Sequence, residues 1–255
     1  LMVDARWSFG AAVVAAMLAA GLAGGLISLL CFRFRGHFFM IVTLAFGLML
    51  HAVMNNWDAV TRGAAGFAGI PRPTPLRWGD AMWSFGPLPH FYALALAMAV
   101  IAFVVQYLVV NSNFGRSLAA IRQDERLARS RGVNTLLYKT TVFAIGTALA
   151  GMGGVLQVSF LRVAAPASFT MLESINMVLI VIIGGAGSLA GPALGALLYV
   201  ALPELLRLSN EWRLVIFGVM LVLITLFAPK GLAGLCARAW LRVWPPQRVA
   251  PASAK

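Results

Sequence analysis

Long apolar runs alternate with short loops along this chain of 255 residues, and its Lys and Arg residues concentrate in every second loop. A helix needs about 20 mainly apolar residues to cross a bilayer. The pattern therefore predicts an all-α fold, a polytopic transmembrane helix bundle with about six to seven spans. We expect these spans at residues 9–30, 38–54, 91–110, 138–160, 175–183, 193–206 and 214–227.

The Lys and Arg residues also predict an orientation. If the first span runs from outside to inside, 13 of these residues fall in inside loops and 7 fall outside. An excess of Lys and Arg marks the cytoplasmic side. We therefore expect residues 1–230 to form the transmembrane domain, with an outside loop at 55–89, an inside loop at 115–134 and a flexible, basic cytosolic tail at 231–255. A net charge of +12 does not indicate nucleic-acid binding here, because the basic residues lie between spans.

The inside loop is predicted to contain a helix, because residues 117–131 include neither Gly nor Pro. Leu118, Ile121 and Ala128 fall on one face at helical spacing, and charged residues occupy the rest. A charged amphipathic helix of this kind can lie on an anionic lipid surface. It can equally fit a groove on a cytosolic protein, and the residues alone leave both interpretations open.

A glycine-rich segment joins the fifth and sixth predicted spans and contains Gly184, Gly185, Gly187, Gly191 and Pro192. Gly187 and Gly191 are four residues apart, a spacing that allows close packing of membrane helices. Helix packing is the favoured interpretation of this segment, and a hinge is the alternative.

Motifs for nucleotide and dinucleotide binding do not fit this chain. The sequence has no G-x-x-x-x-G-K-[ST] string, so it is not expected to bind ATP through a P-loop. Gly185, Gly187 and Ala190 formally match a relaxed dinucleotide fingerprint, but Pro192 follows at once and the flanking runs are apolar. A soluble βαβ unit cannot be built around such a segment, and we expect no cofactor in this chain.

Catalytic and metal-binding patterns are likewise missing from the sequence. His37, His51 and His90 have no His or Cys partner at ligand spacing, so no metal site is expected. No nucleophile and base pair is visible, which argues against an enzyme. Ion-coupled transporters usually keep ionisable residues near the midplane of the membrane, and the predicted spans contain almost none. The remaining interpretation is a transporter with a largely apolar pathway that is powered from outside this chain.

Several strings, in a fixed order over about 200 residues, resemble the permease subunits of branched-chain amino acid ABC importers, the LivH/LivM family, and its LivM-type branch in particular. They are RFRG at 33–36, IVTLAFG at 41–47, NNWD at 55–58, FGRSLAAIRQDE at 114–125, GVN at 132–134, GGAGSLAGP at 184–192 and PKGL at 229–232.

The resemblance implies a fold of the ABC-importer permease type, in the bacterial inner membrane, for branched-chain or related small apolar amino acids. It implies a second permease subunit, two cytosolic ATPases that hold ATP and Mg²⁺, and an extracytoplasmic substrate-binding protein. The family's opening spans are expected before Leu1, so the sequence is expected to be a fragment or a shortened chain. The resemblance also identifies the inside loop as the one that couples to the ATPases, with Arg116, Arg122, Asp124, Glu125, Arg129 and Gly132 as its site residues.

Three other functions remain as alternatives. Related permeases act on urea, short amides or aromatic acids, so the substrate class within the family is open. A stand-alone channel or facilitator for small neutral solutes would share the apolar spans but need no ATPase. A membrane-embedded enzyme is the third alternative, and the missing catalytic pattern argues against it.

Overall fold

The structure, a computed structural model, describes residues 8–32, 37–70, 76–78, 81–83 and 87–206, with Val215, Ile216, Gly218, Val219 and Gly234 beyond them. The seventh predicted span and the basic tail otherwise lie outside the described residues. The helices are α1 (Phe9–Cys31), α2 (His37–Asn56), α3 (Asp58–Thr61), α4 (Leu88–Asn111), α5 (Asn113–Gln123), α6 (Glu125–Ser130), α7 (Thr135–Leu161), α8 (Met171–Gly184) and α9 (Gly191–Leu206).

Short strands occur only in loops of the described part of the chain. Strand β1 (Phe67–Ala68) pairs antiparallel with β4 (Val163–Ala164), and β2 (Leu76–Trp78) pairs antiparallel with β3 (Ala81–Trp83). Single 3₁₀ turns lie at Gly63–Ala65 and Pro166–Ser168. The prediction of an all-α helix bundle is therefore confirmed.

Six of the predicted spans correspond to the helices α1, α2, α4, α7, α8 and α9. Within the described residues, four stretches are long and apolar enough to cross a membrane, and shorter apolar helices lie at Ile41–Asn56 and Gly191–Ala201. The four long stretches are Phe9–Cys31, Leu88–Asn111, Thr135–Leu161 and Pro166–Gly184. The chain folds into two compact units, Leu1–Met171 and Leu172–Lys255.

The first unit is built on the antiparallel packing of α1 against α7. Small residues of α1, four positions apart, lie against α7: a Cβ on Gly21 would lie 3.3 Å from the Cβ of Ala148, and one on Gly25 would lie 3.7 Å from the Cβ of Ala144. Lipid provides no hydrophobic drive for helices to associate, so such close approach is what stabilises the pair.

The two ends of this unit differ in composition. At one end, called here the charged end (residues 113–139), the Lys139 ammonium lies 6.0 Å from the centre of the Phe32 ring, just beyond α1. At the other, called the strand end (residues 57–70 and 162–169), β1 pairs with β4 next to the end of α7. The rings of Phe91 and Phe160, 5.4 Å apart, bring the start of α4 close to the strand end. Residues predicted to face inside and outside therefore lie at opposite ends.

Gly24 gives a direct test of the helix packing. An added Cβ would come within 2.7 Å of the Thr147 Cβ, an atom fixed to the backbone of α7. We expect Gly24→Ala to lower the free energy of unfolding by about 1–3 kcal/mol, the usual cost of overpacking. Thermal unfolding of the purified chain in detergent measures this.

Gly146→Ala is the matched control, because a Cβ there meets nothing within 4 Å. Ala is the better helix former, so this variant should keep or slightly raise the melting temperature. Equal melting temperatures for the two variants would contradict the packing shown.

Candidate functional site

The inside loop forms two helices, not the single helix predicted for residues 117–131. The break falls at Asp124, which has an extended backbone (φ −151°, ψ 109°) between α5 and α6. Its carboxylate accepts hydrogen bonds from the backbone N–H of Arg126 at 2.8 Å and Leu127 at 3.1 Å. Asp is a favoured N-cap residue because it satisfies the free N–H groups of a first turn. The prediction of one helix considered only Gly and Pro as helix breakers. It therefore missed this break, which the Asp124 side chain produces by capping α6.

The end of α6 is fixed by Gly132, whose positive φ of 83° is the left-handed conformation that suits glycine. The N–H of Gly132 donates to the carbonyl of Arg129 at 3.0 Å, and the N–H of Val133 donates to that of Ala128 at 3.2 Å. This pair of bonds is the Schellman motif that ends many helices. The chain then reverses and enters α7 at Thr135.

The Glu125 carboxylate joins α6 to the first turns of α7. One oxygen, Oε2, accepts a hydrogen bond from the Lys139 ammonium at 2.6 Å. The other, Oε1, accepts from the Arg129 guanidinium and from the Thr135 hydroxyl, both at 3.1 Å. Arg129 also donates to the Thr135 oxygen at 2.9 Å. We call Glu125, Arg129, Thr135 and Lys139 the Glu125 cluster.

The hydrogen bond from Lys139 is the main reason why the pKa of the Glu125 carboxyl lies below its ordinary value. Partial burial opposes this shift, while the charge of Lys139, the Thr135 hydroxyl and Arg129 add to it. The carboxylate is therefore ionised and paired at neutral pH. Exposed pairs of the i, i+4 kind contribute only about 0.3–0.5 kcal/mol, so the cluster is better suited to fixing the direction of α6 than to stabilising the fold.

The outer surface of this segment is basic. Arg122, Arg126 and Arg131 are exposed, and the Arg116 guanidinium is hydrogen-bonded to the Asn113 side chain. A hollow of about 700 Å³ lies over α6, lined by Gln123, Asp124, Glu125, Arg126, Arg129 and Ser130.

Apolar residues of the segment divide between the inner and outer sides. Ile121 and Ala128 are buried and Leu118 is half-buried, as the helical spacing predicted. Leu127 points outward with 55% of its surface exposed. Exposed arginines and an exposed apolar side chain thus occur in the same segment, a combination that suits docking into a groove.

Thr135 and Lys139 are site residues that the sequence interpretation missed. They are four residues apart, one turn of a helix, directly after Asn134, whose side chain caps α7. Helical spacing after a capping residue could have placed both on one face. Nothing in the sequence showed that this face meets Glu125, because that contact depends on the turn at Gly132.

In the second unit the glycine-rich segment forms a close contact between α8 and α9. A Cβ on Gly184 would lie 2.6 Å from the carbonyl carbon of Gly191 and 3.0 Å from the nitrogen of Gly195. Gly187, in contrast, is exposed and a Cβ there would meet nothing within 4 Å. Gly191 therefore lies at this contact, whereas Gly187 lies in the turn and makes no close helix contact within this unit, because α8 ends at Gly184.

The rest of the segment forms that turn. Gly185 has a positive φ of 107°. Pro192 lies in the first turn of α9, where its missing N–H leaves no helix bond unmade. Among the described residues, no group of three or more His, Cys, Asp or Glu could hold a metal ion.

Comparison with known proteins gives the family. Residues 1–225 match the family model described as the permease component of the branched-chain amino acid transport system. The chain belongs to this family of membrane permeases, of the LivM/LivH type. With its long apolar helices, it is a multi-pass membrane protein.

Among its relatives, the high-affinity branched-chain amino acid transport system permease protein LivM of Escherichia coli K12 is 33% identical over 237 residues, covering 86% of this chain and 56% of the relative. LivH of Salmonella typhimurium LT2, described in the same terms, is 25% identical over 244 residues, covering 91% of this chain and 77% of the relative. The chain thus spans little more than half the length of LivM. No solved structure matches it.

The pairing of Glu125 with Lys139 predicts how the carboxyl titrates. The ion pair is present above the lowered pKa and is lost as the pH falls through it. We expect Lys139→Met to raise the pKa of Glu125 towards its ordinary value. The measurement is an NMR titration of ¹³C-glutamate-labelled chain in detergent, with the Glu125 signal assigned from Glu125→Gln.

Arg122→Met is the control for this titration, because it removes an exposed cation from the same segment without touching the Glu125 cluster. Its Glu125 pKa should match that of the unchanged chain. If Lys139→Met did not change the titration midpoint of Glu125, the hydrogen bond from Lys139 could not be the cause of the lowered pKa.

The glycine contact in the second unit can be tested with a pair of identical substitutions. Gly184→Ala should lower the melting temperature and the yield of folded chain, because the new methyl group would overlap the backbone of α9. Gly187→Ala should leave both within error, since the space around it is open. A Gly184→Ala variant as stable as the unchanged chain would rule out the contact.

Proposed function

We propose that this chain is a transmembrane permease subunit of an ATP-binding-cassette importer that carries branched-chain or related small apolar amino acids across the bacterial inner membrane. It would catalyse no reaction itself. ATP hydrolysis would occur on two cytosolic partner subunits, and a second permease and an extracytoplasmic substrate-binding protein would complete the complex. Family membership and the named functions of the LivM and LivH relatives support this proposal.

The observation that carries the mechanism is the attachment of α6 to α7 through the Glu125 cluster. An ATPase driving this importer would have to move a span by pushing on a segment outside the membrane. The α5–α6 segment offers exposed arginines and Leu127 to a partner. The 2.6 Å bond between Glu125 and Lys139 links the same segment to a helix of 27 residues.

In the proposed cycle, closure of the ATPases displaces α5 and α6, and the Glu125 cluster passes the displacement to α7. Because α7 packs closely on α1, the two helices move together. Such a movement of packed helices can expose a central path first to one side and then to the other. ATP binding would supply the difference in free energy between the two states.

Replacing Arg122 and Glu125 together by Ala tests this coupling. We expect ATP-dependent uptake of leucine into proteoliposomes to fall about tenfold or more, since a charge-assisted hydrogen bond contributes about 1.5–3 kcal/mol and 1.4 kcal/mol is tenfold. ATP hydrolysis by the complex should continue, and membrane insertion of the chain should be unaffected.

The controls separate the two residues. Arg122→Lys keeps the outward charge and should retain most uptake, whereas Glu125→Gln leaves the partner surface intact and should uncouple. Unchanged uptake in the double variant would reject the coupling role. Uptake that persists without ATP or any ATPase would instead support a facilitator.

A further inference from the structure

A partly open cavity of about 770 Å³ is lined by residues of α1, α2, α7 and the strand end. Pockets for small ligands usually enclose about 300–1,000 Å³, so this cavity is large enough for an amino acid. Its lining consists of Ala12, Ala15, Ala16, Ala19, Ala20, Met54, Phe67, Ile70, Gly151, Gly154, Val155, Val158, Ser159, Ala164 and Phe169.

The cavity is wide because the side chains that line it on α1 and part of α7 are small. The part of α1 that lines it contributes only alanines, and α7 contributes two glycines opposite them. We call the part near Gly151 the floor, because α1 and α7 approach closely there: a Cβ on Gly151 would lie 2.8 Å from the Cβ of Ala20. The residues that line this lower part are apolar.

We call the part of the cavity lined by Phe67 and Ala164 its roof. These two residues are paired in the β1–β4 ladder, which fixes their backbone. The N–H groups of Gly69 and Ile70 both donate to the carbonyl of Arg162, at 3.1 and 3.2 Å. Two aromatic rings, Phe67 and Phe169, complete the upper wall.

Ser159 is the polar group of this apolar lining. The residue is only 1% exposed, and its hydroxyl oxygen has no hydrogen-bond partner among the described residues. A buried hydroxyl without a partner costs about 1–3 kcal/mol, so a bound molecule that hydrogen-bonds to it would gain that energy. One polar group in an apolar pocket is typical of a ligand site.

The polar and apolar parts of the cavity are separated along α7. Ser159 lies eight residues beyond Gly151 in the same helix, which is about 12 Å at 1.5 Å per residue. The hydroxyl is therefore near the roof and the apolar space is near the floor. At the roof, the Arg62 guanidinium lies 4.9 Å from the centre of the Phe67 ring and brings a positive charge to the same end.

We propose that this cavity binds the transported amino acid, with its branched aliphatic side chain between the alanines of α1 and Gly154, and its polar end at Ser159. The positive charge of Arg62 favours the carboxylate end of the solute near the roof. This inference rests on the proposed function and adds to it a binding site within a single permease chain, formed before any partner is present.

Gly154 allows the cavity to be filled without disturbing the helices, because a Cβ there meets nothing within 4 Å. In the complete complex, Gly154→Leu should reduce leucine uptake by about tenfold or more, since pockets discriminate about 10- to 200-fold for a single methylene. Uptake of alanine, where it is measurable, should fall less, because its side chain needs less of the filled space.

Gly153→Leu is the matched control. Gly153 is the preceding residue of the same helix, its Cβ would also meet nothing within 4 Å, and it does not line the cavity. This variant should keep leucine uptake within about twofold, a smaller change than the loss of one methylene contact. Equal leucine uptake by the Gly154→Leu and Gly153→Leu variants would overturn the proposal.

A direct binding measurement covers the case in which Gly154→Leu fails to assemble. The thiol introduced by Gly154→Cys is labelled with N-ethylmaleimide in the intact complex, and the modified residue is read by mass spectrometry. Leucine should slow this labelling. Adding Ser159→Ala should raise the leucine concentration that gives half-maximal protection by about two- to tenfold, the equivalent of one hydrogen bond.

The outcomes distinguish the cavity from the importer assignment. A complex that imports leucine on ATP but shows no protection of the Gly154→Cys thiol overturns the cavity and leaves the importer standing. A complex that imports no leucine contradicts the proposed function, and protection by leucine would then still support the site.

Discussion

Gly24 lies directly against Thr147, and the space between α1 and α7 leaves no room there for a methyl group. This close approach determines what both ends of the first unit can do. At the charged end it holds the start of α7 beside Phe32 and presents Lys139 to Glu125. Towards the strand end, alanines of α1 and glycines of α7 line a cavity to which Phe67 of β1 also contributes. Small side chains thus produce a tight contact in one stretch and an open space in the next.

The Glu125 cluster acts through geometry more than through energy. Its ion pairs are partly exposed, with 37% of the Glu125 side chain and 57% of the Arg129 side chain accessible, and such pairs contribute little to stability. The carboxylate nevertheless has both oxygens bonded to groups on or beside α7. Two bonded oxygens fix a direction as well as a distance, so α6 has little freedom to rotate about its link to α7.

The spans could be predicted from sequence because each depends on a local run of apolar residues, which needs no knowledge of its neighbours. The break at Asp124 could not be predicted from missing Gly and Pro, because an Asp side chain competes with the helix by capping the next one. The contact of Glu125 with Lys139, the open position of Gly187 and the cavity at Ser159 depend on which helix faces meet. That is tertiary information, and local spacing does not contain it.

The turn between α6 and α7 has a consequence for how the charged end responds to force. It comprises residues 131–134 and is held at its start by the two carbonyl bonds around Gly132 and at its end by the Asn134 cap. Four residues span at most about 14 Å when fully extended, and these are already committed to a compact reversal. A connection this short cannot lengthen further, so a change in the tilt of α6 is transmitted directly to α7.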